Sequence, residues 1–123
     1  MNTILVVEDN EMMRENTTEI LELSLYHVLS AENCYRGIEL AEKDHPDLII
    51  CDVTMKEIDG GCSFEKLNNT AKANKIPVIV LTTGKEKFEI TSPVSSTHDG
   101  ALNKPYHGEE LLKMVAVFLP SLL

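Results

Sequence analysis

The sequence predicts a single α/β domain, spanning residues 1–123, with a doubly wound parallel sheet and helices on both of its faces. Two short all-apolar runs, at 4–7 and 48–51, are typical of parallel strands that are buried on both faces. Segments with the apolar spacing of helices lie between the strands, so that strand and helix alternate five times. A length of 123 residues suits one domain and is too short for two.

The composition restricts the class of protein. It is 43% hydrophobic and 25% charged, as in ordinary globular domains. A net charge of -9 opposes direct binding of nucleic acid, because the phosphate contacts would be repulsive. No apolar run approaches the roughly 20 residues of a membrane-spanning helix, so we expect a cytoplasmic protein without membrane association. The three cysteines are an odd number without paired metal spacing, and we expect neither a disulfide framework nor a zinc site.

The first half of the chain contains three predicted strands, at 4–7, 26–30 and 48–51. Asn10 can cap the first helix, whose predicted buried stripe consists of Met13, Thr17, Ile20, Leu21 and Ser24. Asn33 opens the second helix, which we expect to bury Tyr35, Ile38 and Ala41.

The second half continues the alternation. A third helix is marked by Phe64, Leu67 and Ala71, and strands are predicted at 76–81 and 100–103. Between these strands, residues 85–99 contain a proline and several poor helix formers, so we expect a short, kinked or mobile element there. The last helix should present one apolar face, made of Leu112, Val115, Ala116 and Leu119.

Polar residues follow the predicted strands at corresponding ends. Parallel strands point their carboxyl ends at one edge of the sheet, so we expect these residues to converge there: Glu8, Asp9, Asp52, Thr82 and Lys104. Carboxylates held together repel one another and favour a bound cation, and all-oxygen ligands suit Mg²⁺. Beside such a cation, the Asp52 carboxylate can attack phosphorus and form an aspartyl phosphate.

The two remaining residues can serve the same reaction. The Lys104 ammonium can pair with Asp52 and then with a phosphoryl oxygen. The Thr82 hydroxyl can donate a hydrogen bond to another phosphoryl oxygen. Phosphoryl transfer requires little more, since it depends mainly on positioning and on charge neutralisation.

The whole chain resembles the receiver domain of two-component response regulators. The residues that carry the resemblance are Glu8-Asp9, Asp52, Met55, Asp59, Gly60, Thr82 and Lys104-Pro105. The resemblance implies a flavodoxin-like fold with strand order 2-1-3-4-5, and a Mg²⁺ or Mn²⁺ ion held by Glu8, Asp9, Asp52 and the Thr54 carbonyl. It also implies that Thr82 moves on phosphorylation and that the Lys104–Pro105 peptide bond is cis.

The family resemblance also implies partners. Asp52 would receive its phosphoryl group from a histidine kinase or a phosphotransfer protein, and the output would go to a downstream protein or to an output domain outside this sequence. The protein would be a phosphoacceptor in a phosphorelay and not an enzyme, although it could catalyse its own phosphorylation and dephosphorylation.

Four features depart from the family pattern. Ala101 stands where a Tyr or Phe usually lies three residues before the lysine, so the aromatic switch is missing. Lys56 replaces the usual proline after Met55, and Thr83 replaces a small residue. Residues 91–97 are rich in Ser, Thr and Pro, a composition that does not predict the regular fourth helix of the family. These departures leave the phosphorylation chemistry intact but put the usual output surface in doubt.

Two alternatives to a phosphorylatable receiver remain open. A receiver-like interaction domain could keep the pocket and signal by constitutive binding, which the departure at Ala101 favours. A Mg²⁺-dependent phosphatase with an aspartyl-phosphate intermediate is opposed by Thr54, because that enzyme needs a second acid at this position. It would also need a substrate-covering cap, for which 123 residues leave no room.

Overall fold

The structure is a computed structural model that describes residues 2–54, 64–83 and 100–119. Its strands are β1 (Thr3–Val7), β2 (His27–Ala31), β3 (Leu48–Asp52), β4 (Val78–Thr82) and β5 (Gly100–Asn103). Within the described residues, its helices are α1 (Glu11–Leu23), α2 (Cys34–Asp44), α3 (Phe64–Ala73) and α4 (Gly108–Phe118). The predicted element at 85–99 lies outside the described residues.

All five strands are parallel and form one sheet in the order β2-β1-β3-β4-β5. This confirms the predicted flavodoxin-like fold and its strand order. Every residue of β3 and β4 is buried, which agrees with the all-apolar runs that predicted central strands. β1 lies between β2 and β3, and the order reverses there, so the carboxyl ends of β1 and β3 border the crevice where such sheets bind ligands.

Helices cover both faces of the sheet. One apolar cluster includes Val7, Ala41 and Leu67 and places α2 and α3 on one face. The other includes Leu21 and Leu111 and places α1 and α4 on the opposite face. In the part of the chain described, each helix is too short or too polar to cross a bilayer.

Side-chain caps define where α1 and α2 begin. Asn10 Oδ1 accepts a hydrogen bond from the Met13 N–H at 2.9 Å, and Asn33 Oδ1 accepts one from the Arg36 N–H at 2.8 Å. Each satisfies a backbone donor that has no partner inside the helix. The cap predicted at Asn10 is confirmed, and it starts α1 immediately after the acids that follow β1.

Four details of the predicted helix faces and bonding were wrong. Tyr35 is 43% exposed, because α2 rests on the sheet through Gly37, where an added Cβ would lie 2.9 Å from Val7 Cγ2. Ser24 is an exposed residue at the end of α1, and Ala116 lies on the exposed side of α4. Cys34 is disulfide-bonded, although no disulfide was expected, whereas Cys51 is a free buried thiol.

Candidate functional site

The carboxyl ends of the strands bring three charged side chains together. Glu8 directly follows β1, Asp52 ends β3 and Lys104 directly follows β5. The Lys104 Nζ is 2.6 Å from Asp52 Oδ2 and 3.5 Å from Glu8 Oε1. Both acids are 1% exposed. Two buried carboxyl groups thus share one ammonium group at the edge where the sequence predicts them to meet.

Backbone pairing fixes the positions of the two acids. The Glu8 N–H donates to the Ala31 carbonyl at 3.0 Å, which extends the pairing of β1 with β2 by one residue. The Val53 N–H donates to the Leu81 carbonyl at 3.0 Å and holds the backbone just after Asp52 against β4. The acids therefore belong to the rigid sheet and not to a free loop.

Thr54 contacts the second oxygen of Asp52. The Thr54 N–H lies 2.8 Å and its Oγ1 lies 2.6 Å from Asp52 Oδ1. The same hydroxyl is 3.4 Å from the Lys104 Nζ. The family resemblance implied a role only for the Thr54 carbonyl, as a metal ligand, and that role stays a prediction. The contact between the hydroxyl and Asp52 was missed, because the direction of this side chain depends on the turn after β3.

Burial and hydrogen bonding set the charges of the site. Burial, together with a hydrogen bond to Asp52, raises the pKa of Glu8 to about 8. Burial also acts to raise the pKa of Asp52, but hydrogen bonds from Glu8, Lys104 and Thr54 outweigh it and leave that pKa below its usual value. Burial opposes the charge of Lys104, whereas the hydrogen bond and charge of Asp52 favour it and raise the lysine pKa. Near neutral pH the site therefore holds a protonated Glu8, an ionised Asp52 and an ammonium.

Three acids form a cluster with the geometry of a possible metal site. One carboxylate oxygen from each of Glu8, Asp9 and Asp52 lies within 4.8 Å of the other two. Glu8 and Asp52 are buried, whereas Asp9 is exposed, so the cluster opens to solvent on one side. The donors are all oxygens, which suits Mg²⁺, a cation that retains several waters. The residues present therefore fit a divalent cation of this class.

Thr82 and Lys104 are joined through the backbone. The Lys104 N–H donates to the Thr82 carbonyl at 2.7 Å, and Thr82 is 8% exposed at the end of β4. The Lys104–Pro105 peptide bond is cis, which confirms that prediction. The structure places Thr82 at the predicted edge of the sheet, and the movement of its hydroxyl stays a prediction.

Residues of α1 and its N-cap support the site, a role that was not predicted for them. Arg14 Nη1 donates to the Glu8 carbonyl at 2.8 Å, and the Asn10 N–H donates to Glu8 Oε2 at 3.2 Å. Thr17 Oγ1 is 2.6 Å from the Tyr106 Oη, close to Lys104 in the chain. A threonine in the predicted apolar stripe of α1 was the one available signal, since a buried hydroxyl needs a partner.

The structure describes two of the positions that depart from the family pattern, Ala101 and Thr83. Ala101 is exposed in β5, so no aromatic ring occupies that position, and Thr83 is exposed after β4. Met55, Lys56, Asp59 and Gly60 lie outside the described residues, as does the segment 91–97.

The chain is similar in sequence and in fold to known proteins. Residues 4–116 match the family model of the response regulator receiver domain. Protein PilH of Pseudomonas aeruginosa is 34% identical over 122 residues, which cover 97% of this chain and 98% of PilH. The response regulator MprA of Mycobacterium leprae is 30% identical over 116 residues, covering 94% of this chain and 50% of MprA. The chain thus spans nearly all of one relative and about half of the other.

The fold also matches solved structures. The chemotaxis protein CheY4 of Vibrio cholerae superposes with a TM-score of 0.80 and is 25% identical, covering 96% of this chain and 98% of CheY4.

Proposed function

The chain belongs to the response-regulator receiver domain family, and from this membership we propose that Asp52 accepts a phosphoryl group and that the modification changes the affinity for a partner. The observation that carries the proposal is the ion pair of 2.6 Å between Asp52 and Lys104 in a pocket of buried acids. This pairing keeps an ionised carboxylate, the form that can attack phosphorus, at the carboxyl edge of the sheet.

The proposed donor is the phosphohistidine of a histidine kinase or a phosphotransfer protein. A carboxylate oxygen of Asp52 attacks the phosphorus in line with the donor nitrogen, so that an O–P bond forms while the P–N bond breaks. The electron pair of that bond returns to the imidazole, which takes up a proton from solvent. The product is an aspartyl phosphate, and the reaction requires positioning more than covalent help from the protein.

The acid cluster is the proposed metal site. Glu8, Asp9 and Asp52, with the Thr54 carbonyl, would hold Mg²⁺ or Mn²⁺, because their oxygens converge and suit such cations. A bound cation would neutralise charge on the phosphoryl oxygens. Glu8 has to lose its proton before it can bind the cation, since its pKa is raised to about 8.

Lys104 and Thr82 are proposed to bind the oxygens of the phosphoryl group once it is on Asp52. The Lys104 ammonium exchanges Asp52 Oδ2 for a phosphoryl oxygen, which lies farther from the sheet than the carboxylate oxygen does. Thr82, at the end of β4, donates its hydroxyl to another oxygen of the group. When Lys104 changes its partner from Asp52 to the phosphoryl group, the charges of the site change locally. Such a change can shift the balance between two conformations of the surface that binds partners.

The proposed partners are proteins. They are the phosphodonor and either a downstream protein or an output domain, and a net charge of -9 argues against direct contact with nucleic acid. We place this activity in the cytoplasm. The chain acts on its own phosphoryl group and is not an enzyme with a separate substrate.

A second candidate function is constitutive binding without phosphorylation. The exposed Ala101 in β5 favours it, because the aromatic side chain that usually accompanies the movement of the threonine is absent. This candidate predicts equal partner binding by modified and unmodified protein.

Intact mass after incubation with Mg²⁺ and acetyl phosphate tests the proposal. We expect the wild type to gain one phosphoryl group that is stable in acid and labile in base, and Asp52→Asn to gain none. Asp44→Asn is the matched control, since it makes the same change at an exposed acid that ends α2. Failure of the wild type to gain the group, with Mg²⁺ binding shown separately, would favour constitutive binding instead.

A further inference from the structure

A partly buried hydrogen bond joins α1 to the segment between β5 and α4. Thr17 lies in the middle of α1 and is 2% exposed, and its Oγ1 is 2.6 Å from the Tyr106 Oη. A contact of this length between two hydroxyls is a good hydrogen bond whichever atom donates. The proposed phosphorylation chemistry uses neither hydroxyl directly.

Tyr106 is close to the site through the chain and in space. It follows Lys104 by two residues, and Lys104 is fixed at its backbone by the Thr82 carbonyl and at its ammonium by Asp52. Burial raises the pKa of Tyr106, and the charges of Glu8, Lys104 and Asp52 also act on it. Only Pro105 separates Tyr106 from Lys104, so the backbone position of Tyr106 constrains that of the lysine.

Tyr106 packs against the apolar cluster on this face of the sheet, and a pocket adjoins its contact with α1. This cavity of about 160 Å³ is lined by Met13 and Asn16 on one side and by Lys104, Pro105 and Tyr106 on the other. The hydrogen bond between Thr17 and Tyr106 therefore adds a directional polar connection between the two elements beside this pocket.

We propose that Tyr106 is a positioning residue whose hydrogen bond to Thr17 holds Lys104 at Asp52 for phosphoryl acceptance and couples the position of Lys104 to α1. The inference rests on the proposed function and extends it to two further residues. When a phosphoryl oxygen replaces Asp52 Oδ2 as the partner of the ammonium, Lys104 moves outward, and Tyr106 carries that movement to α1. The exposed methyl group of Ala101 has no hydroxyl or ring with which to make such a connection.

The variants that test this are Tyr106→Phe, Thr17→Val and the two combined. At saturating Mg²⁺ and acetyl phosphate, we expect each single change to slow phosphorylation by about two- to tenfold, the effect of one hydrogen bond. The double variant should be no slower than the singles, because both remove the same interaction. The Mg²⁺ dissociation constant should stay unchanged, since neither residue belongs to the acid cluster.

Two further variants separate positioning from a general structural effect. Thr17→Ser keeps the hydroxyl and should restore the wild-type rate. Thr18→Val is the matched control: Thr18 is the neighbouring residue of α1, and its buried Oγ1 has no hydrogen-bond partner among the described residues. It should leave the rate unchanged.

The outcomes distinguish the two proposals. A wild type that gains no phosphoryl group would overturn the proposed function and this inference together. A wild type that is modified at the same rate as Tyr106→Phe, or singles whose losses multiply in the double variant, would overturn this inference alone. Loss of thermal stability in Tyr106→Phe with an unchanged phosphorylation rate would do the same.

Discussion

The two faces of the sheet are built differently. On one face, α2 approaches the sheet so closely at Gly37 that an added Cβ would lie 2.9 Å from a Val7 methyl group. On the other face, α1 is connected to the segment before α4 by the Thr17–Tyr106 hydrogen bond beside a cavity of about 160 Å³. The first face is close-packed and has little freedom to rearrange. The second has a specific polar connection beside a pocket.

The difference shows how one small domain can combine stability with a response. Asp52 belongs to β3, which is buried from both sides, so its carboxylate stays in place when the phosphoryl group arrives. Lys104 follows β5 at the sheet edge and contacts α1 at the Met13 Sδ, 3.9 Å from its Nζ. We therefore expect the face with α2 and α3 to support the site and the face with α1 and α4 to respond to its chemistry.

The largest expected effect is on stability and comes from the supporting face. Leu67 in α3 is fully buried, so Leu67→Ala should lower the free energy of unfolding by about 2–5 kcal/mol, which urea titration measures. Leu23→Ala, at a leucine that is 77% exposed, should change it by about 0.5 kcal/mol or less. The phosphorylation rate of folded Leu67→Ala should match the wild type. A tenfold slower rate in fully folded protein would show that this face takes part in the chemistry.

The next effect concerns pH and metal binding. Glu8, with its pKa raised to about 8, is protonated in the metal-free protein at neutral pH, and a cation competes with that proton. The Mg²⁺ affinity should therefore rise by up to about tenfold per pH unit from pH 6 and level off above about pH 8. Isothermal titration at three pH values measures this, and Glu8→Gln should bind more weakly with a flatter profile. A flat wild-type profile would show that Glu8 is ionised before the cation binds.

The smallest effect compares two equivalent caps on opposite faces. Asn10→Ala and Asn33→Ala each remove a side-chain bond to the first turn of a helix, so each should cost about 1 kcal/mol of stability. Only Asn10→Ala should also weaken Mg²⁺ binding. The variant keeps the backbone N–H of residue 10, which donates to Glu8 Oε2, but loss of the cap to the Met13 N–H loosens the backbone that holds this donor in place. Equal Mg²⁺ affinities in the two variants would show that the start of α1 does not position Glu8.

The sequence was sufficient for the elements that depend on backbone pattern. Apolar runs that end in acids located β1 and β3, and parallel topology then placed Glu8, Asp52 and Lys104 at one edge. The prediction that Tyr35 lies on the buried face of α2 was wrong. Small residues such as Gly37 form that face, and their role depends on how closely the helix approaches the sheet. The hydroxyl of Thr54 was missed for a related reason, since no sequence period fixes side-chain directions in a turn.

The difference between the two faces can be measured directly by amide hydrogen exchange. The wild type and Asp52→Asn would be compared with Mg²⁺ present, each with and without acetyl phosphate. We predict that phosphorylation of the wild type changes exchange in α1 around Thr17 and at the Lys104 amide, while α2 and α3 stay as they were and Asp52→Asn shows no change. Equal changes on both faces, or changes in α2 and α3 alone, would contradict the account.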